Sequence, residues 1–106
     1  MAKFLFTAAY TPEGRRGLLK DGGSGRVDAA HKAAESVGGR VEAMYYSFGD
    51  HDVYIICDLP DNKAAAALSI AVGASGALDT KTVVLLTPEE VDQAARAAVD
   101  FRAPGA

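Results

Sequence analysis

His51 stands between Asp50 and Asp52 in the run Phe48-Gly49-Asp50-His51-Asp52, the sharpest cluster of ionisable side chains in the 106-residue chain. Imidazole titrates near neutral pH, and adjacent carboxylates favour its protonated form. His51 with Asp52 could therefore act as a general acid–base pair or begin a metal site. Two considerations oppose this. Successive side chains on an extended backbone point to opposite faces. A metal site needs three or four converging ligands, and no metal is expected here. A solvated hairpin tip is the plainer reading. His31, the other histidine, is the second acid–base candidate, four residues after Val27 at the edge of an apolar helical face. There a packed core-edge residue is the plainer reading.

Gly22-Gly23-Ser24-Gly25-Arg26 precedes a helical run. Free amides, the Ser24 hydroxyl and the Arg26 guanidinium could hold an anion such as phosphate or carboxylate. No Gly-Lys-Ser/Thr follows, so it is not a P-loop, and its spacing fails the dinucleotide fingerprint. The competing reading is a flexible connector. Tyr10, Tyr45, Tyr46 and Tyr54 all fall on strand-like runs. Each joins a large apolar body to a polar tip able to bind a ligand or a partner. Tyr10, Ser24, Arg26, Tyr46, His51 and Tyr54 are the ligand-binding candidates. Cys57, the single cysteine, sits inside an apolar run and reads as a small buried hydrophobe. Nothing in the sequence calls for a cofactor. No paired CxxC, HExxH or Ser-His-Asp order supports a zinc enzyme or a hydrolase.

The elements that would position these residues follow from pattern. Residues 3–10, KFLFTAAY, alternate as a strand, with Phe4, Phe6, Ala8 and Tyr10 on one side and Leu5, Thr7 and Ala9 on the other. Thr11-Pro12-Glu13 starts a helix, threonine as N-cap and proline at the first helical position. The glycines at 22, 23 and 25 then break or kink it, and a second helical run extends from about Arg26 to Val37. Strands over roughly 40–48 and 52–59 form a hairpin around Gly49. Pro60-Asp61-Asn62 caps a small-faced helix from Lys63 to about Ser75. Residues 79–86 form a fourth strand. Thr87-Pro88-Glu89-Glu90 is a capping box that begins a last helix, running to about Val99. Residues 100–106 form a flexible tail.

The order β-α-β-β-α-β with an added helix predicts one α+β domain over residues 1–106. The arrangement is the ferredoxin-like split βαβ: a four-stranded antiparallel sheet with both main helices on one face. A net charge of −3 argues against a nucleic-acid partner. No run approaches the length of a membrane span. No signal peptide is read at the N-terminus, and the cytoplasm is the expected location.

The strands alternate poorly between apolar and polar. Strand two reads Met44, Tyr46 and Phe48 on one face and Val41, Ala43 and Tyr45 on the other. Strand three reads Tyr54 and Ile56 against Val53, Ile55 and Cys57. Helices can cover only one face of such a sheet. The other is expected to pack against a second copy in a two-fold homodimer or a higher homo-oligomer.

The segments KFLFTAAYTPEGRRGLLKDGGSGR, FGDHDVYIICDLPDN and KTVVLLTPEEVDQA are similar, in the same register, to the GYD-domain family of small bacterial proteins. The resemblance covers nearly the whole chain. Gly49 and Asp52 match the motif that names the family, and His51 stands where tyrosine is expected. The resemblance implies a ferredoxin-like fold of the dimeric α+β barrel kind, and it supplies no reaction.

Three functions are compatible with this reading. The first is a ligand-binding or regulatory homo-oligomer, with a partly apolar cavity between paired sheets, lined by tyrosines, for a small-molecule or anionic ligand. The second, by fold analogy, is a small cofactor-independent enzyme of the isomerase or monooxygenase kind, with His51, Asp52 or His31 as its catalytic residues. The third is a structural or assembly module.

Overall fold

A computed structural model describes the chain from Met1 to Ala106. Its elements are β1 (Ala2–Tyr10), α1 (Pro12–Ser36), β2 (Arg40–Tyr46), β3 (Val53–Leu59), α2 (Asn62–Ala74), β4 (Leu78–Leu85) and α3 (Pro88–Ala95). The four strands form one antiparallel sheet in the order β2-β3-β1-β4. This is the ferredoxin-like arrangement that the pattern predicts.

Phe4, Phe6 and Ala8 of β1 stand opposite Cys57, Ile55 and Val53 of β3, and opposite Val84, Thr82 and Thr80 of β4. Directly opposed residues share a face, so this set defines one side of the sheet. Both main helices cover that side. Ser69 of α2 hydrogen-bonds Thr80 and Thr82 on β4 at 3.3 and 3.0 Å. Two apolar clusters lie in the layer between sheet and helices. One gathers Phe4, Phe6, Cys57 and Leu59 around Ala65 of α2, and the other gathers Ala8, Tyr10, Val53 and Leu78.

Strand two departs from strict alternation. A bulge between Val41 and Ala43 places Val41 opposite Cys57, on the helix side, while Ala43 pairs with Ile56 on the open side. Met44 and Tyr46 then fall on the helix side and Tyr45 on the open side. The extra residue at a bulge shifts the two-residue period by one, so the expected grouping of Val41 with Ala43 and Tyr45 is corrected.

The first helix carries the kink expected at its glycines. The Gly22-Gly23-Ser24-Gly25 segment joins two helical runs across that kink and is not an extended flexible connector. It lies within α1, which bends at Gly22 (φ 75°, ψ 164°). That backbone region is essentially open to glycine alone. The start of α1 is pinned to the far end of the sheet. Thr11 accepts from the Gly14 amide as N-cap, donates to the Gly76 carbonyl at 2.8 Å, and its own amide donates to Ala77 O at 3.0 Å. Gly14 makes this approach workable, since a Cβ there would overlap the Ala77 carbonyl.

α3 carries the expected capping box, with Thr87 and Glu90 bonded reciprocally at 2.9 and 3.1 Å. It ends at Ala95 rather than Val99. Every residue from Pro88 to Ala106 is exposed, so no apolar contact rewards further helical turns, and short helices depend on such contacts. The radius of gyration, 16.9 Å, exceeds the roughly 13 Å of a compact chain of this length. The exposed C-terminal segment accounts for that elongation.

Candidate functional site: a helix-side cavity and its polar mouth

The tyrosines do not converge. They divide into two pairs on opposite faces of the sheet. Tyr10 and Tyr46 lie on the helix side, while Tyr45 and Tyr54 stand opposite one another on the open side. The two pairs have different neighbours and different chemistry.

On the helix side a cavity of about 120 Å³ lies between sheet and helices. Its floor is Phe6, Ala8, Met44, Val53 and Ile55, and its roof is Ala29, Ala30, Ala33 and Ala34 of α1 with Leu68 and Val72 of α2. The roof is lined largely by alanine, and short side chains leave unfilled the space that larger ones would occupy. A larger cleft of about 670 Å³ runs between α1 and α2 outside it. Tyr10, Arg26, Ala33, Leu68, Val72 and Leu78 line both, so the cleft adjoins the cavity.

Arg26 is the one charged residue on the cavity wall. Its side chain is 35% exposed, and its nearest carboxylate, Asp21 Oδ2, stands 3.8 Å from Nη1, beyond hydrogen-bond distance. The kink at Gly22 builds this corner. The Tyr46 hydroxyl donates to the Gly23 carbonyl, next to the kinked residue, at 3.0 Å. The Tyr46 ring lies against Gly23 itself. Partial burial pushes the Tyr46 phenol above its ordinary pKa, the nearby Tyr10 phenol adds to that, and the Arg26 charge opposes it. Tyr10, Arg26 and Tyr46 therefore surround one small region at the cavity mouth. Ser24, the remaining candidate from this segment, is exposed and does not line the cavity.

Cys57 also lines the cavity. It is 3% exposed, and burial first, then the Asp58 charge, pushes its thiol up to about 11. It is held as a neutral thiol, as a buried hydrophobe should be.

The hairpin residues lie elsewhere. Asp50 is exposed in the turn. The His51 ring meets Tyr54 edge-on, with centroids 6.0 Å apart. Asp52 accepts the Tyr10 backbone amide at 2.8 Å, and its own amide donates to Ala8 O. The Asp52 carboxylate thus ties the hairpin to the end of β1. His31 is half-buried on α1, on the other side of the sheet from Tyr54 and its His51 neighbour. Neither histidine lines the cavity or the cleft, and no group of three or more histidine, cysteine or acidic side chains is placed to hold a metal.

The open face of the sheet carries Leu5, Tyr45, Tyr54, Ile56, Val83 and Leu85. Tyr45 is 71% exposed and Val83 44%. At one end Asp58 is bracketed by Lys3 and Arg40, each 2.9 Å away, and Lys3 also reaches Glu42 at 2.9 Å. Arg40 approaches Asp58 Oδ2 as an ion-pair partner without the alignment of a hydrogen bond, so that oxygen has no aligned donor.

A four-stranded antiparallel sheet with two helices on one face and an uncovered second face defines the chain as an α+β protein of ferredoxin-like architecture. The GYD domain family matches residues 4–95 of the 106, and the chain belongs to that family. A search of the curated proteins found no match. No helix is long and apolar enough to cross a membrane.

The sequence reading selected Tyr10, Arg26 and Tyr46 singly. What it missed was their common location and the alanines of α1 as a cavity roof. The spacing of Ala30, Ala33 and Ala34 signals an inward helical face, but it does not reveal that the face stands clear of the sheet.

Proposed function

We propose that this protein is a small-ligand-binding homodimer of the cytoplasm, and that its ligand occupies the helix-side cavity rather than a space between paired sheets. The cavity carries the reading. It is apolar, bordered by a few polar groups at one corner and adjoined by a cleft that gives access. The apolar lining with a few polar groups is usual for a ligand site, while the volume of about 120 Å³ lies below the roughly 300 Å³ at which drug-sized pockets begin and fits only a very small occupant. The open sheet face supports the dimer, because exposed Tyr45, Tyr54 and Val83 form the kind of contiguous apolar surface that a second copy would cover.

Binding is favoured over cofactor-independent catalysis by the lining itself. The cavity wall holds no imidazole and no carboxylate, so the catalytic candidates His51, Asp52 and His31 are not placed to exchange a proton with its occupant. A structural or assembly module would give the cavity no role.

Thermal melting with small apolar molecules tests the reading. The native protein should gain stability with at least one of them, and Ala33→Met, which puts a longer side chain into the roof, should abolish the gain. An equal gain in Ala33→Met would place binding elsewhere and refute the assignment.

A further inference from the structure

A cavity of about 120 Å³ is selective by size. An engineered apolar cavity of about 150 Å³ holds one benzene molecule, so the occupant's apolar body here is limited to about one small ring or a short branched chain. The walls are also selective by charge. Only one formal charge touches the cavity, and it is positive. The Arg26 side chain as a whole is 35% exposed, and its guanidinium has no carboxylate within hydrogen-bond distance. Guanidinium pairs best with planar, bidentate acceptors such as carboxylates. The Tyr10 phenol stands on the same wall, and Tyr46 senses both groups. Tyr46 itself is committed to Gly23 O and interacts with the Tyr10 phenol, which leaves Arg26 as the charged donor available to an incoming acceptor.

We infer that the cavity takes a compact monocarboxylate, its apolar body between the α1 alanines and the Phe6–Val53 floor and its carboxylate on Arg26. This rests on the proposed ligand-binding role and adds the chemical class. Asp21 is the competitor. It is 45% exposed and loosely paired with Arg26, so a ligand carboxylate displaces it into solvent. The inference therefore assigns opposite signs to two neighbouring residues: Arg26 attracts the ligand and Asp21 opposes it.

The test compares benzoate with benzyl alcohol and isovalerate with isoamyl alcohol. Each is titrated into the full chain while the methyl resonances of Met44 and Val72 are followed by NMR. Each carboxylate should bind at least roughly tenfold more tightly than its alcohol, the scale of a charge-assisted hydrogen bond. Arg26→Gln should bring the carboxylate down to the level of the alcohol without weakening the alcohol. Asp21→Asn should tighten the carboxylate alone. Arg26 and Asp21 lie near the surface, and the retained alcohol response reports that each variant has kept its cavity. If the alcohols perturb the cavity methyls and the carboxylates bind no better, the anion inference falls and the ligand-binding reading stands. If neither perturbs them, both fall. Carboxylate binding unchanged in Arg26→Gln would overturn the inference directly.

Discussion

The Asp52 carboxylate accepts the backbone N–H of Tyr10 at 2.8 Å. This bond joins the β2–β3 hairpin to the end of the strand whose last side chain lines the cavity mouth. Asp52 is the motif residue that, beside His51, could be taken for half of an acid–base pair. Its bond to Tyr10 instead gives it a structural task. Asp52→Ala should leave the amide without that acceptor and cost about 1.5–3 kcal/mol, the range for a hydrogen bond to a charged group. Asp52→Asn keeps an acceptor oxygen and should cost less. Urea unfolding of both variants checks the order, and equal loss would show that the charge rather than the bond matters.

Gly22 sets the bend in α1 through a backbone conformation that other residues reach only with strain. Gly22→Ala should destabilise the protein by about 1–3 kcal/mol. It should also loosen the Tyr46–Gly23 contact, visible as a change in the Tyr46 ring resonances. Gly17→Ala, at a position where an added Cβ meets nothing, serves as the control and should be neutral or slightly stabilising.

Much of this arrangement was legible in the sequence. The alternation in KFLFTAAY, the two Thr-Pro-Glu helix starts and the hairpin around Gly49 specify the strand and helix order, because each is a local signal with a local cause. What was not legible depends on contacts distant in sequence. The bulge at strand two is set by pairing with β3, and nothing in Val41-Glu42-Ala43 announces it. The Gly22 kink and a true helix break share one composition. The fate of α3 depended on whether a surface exists for Val91 to cover. Tyr10, Arg26 and Tyr46 come from β1, α1 and β2, and only the packing of α1 on the sheet brings them to one corner.

Lys3, Arg40 and Asp58 predict an acid-sensitive contribution to stability. The hydrogen bond from Lys3, against an opposing effect of burial and with help from the Lys3 and Arg40 charges, holds the Asp58 carboxyl below the ordinary aspartate range. The unfolded chain then binds the proton more readily than the folded one. Asp58 contributes fully above the ordinary aspartate pKa of about 4, and the contribution disappears as pH falls below that towards the folded value. Asp58→Asn should flatten the pH dependence of unfolding in that acid window and change it little between pH 6 and 8. An unchanged acid slope would contradict the assignment.

The open sheet face predicts a dimer. Sedimentation at low micromolar concentration should give twice the 11.0 kDa chain mass. Tyr45→Asp combined with Val83→Lys, which places charges on that face, should return a folded 11.0 kDa monomer. A native protein sedimenting as a monomer would contradict the dimer and leave the cavity reading untouched, since the cavity lies on the opposite side of the sheet.

Xenon tests the central claim most directly, because it occupies dry apolar cavities without any polar recognition. Crystals of the protein under xenon pressure should show one bound atom between Ala33, Met44 and Val72, and the same experiment on Ala33→Met should show none. Xenon absent from the helix side of the native protein, or bound only on the open sheet face, would contradict the account.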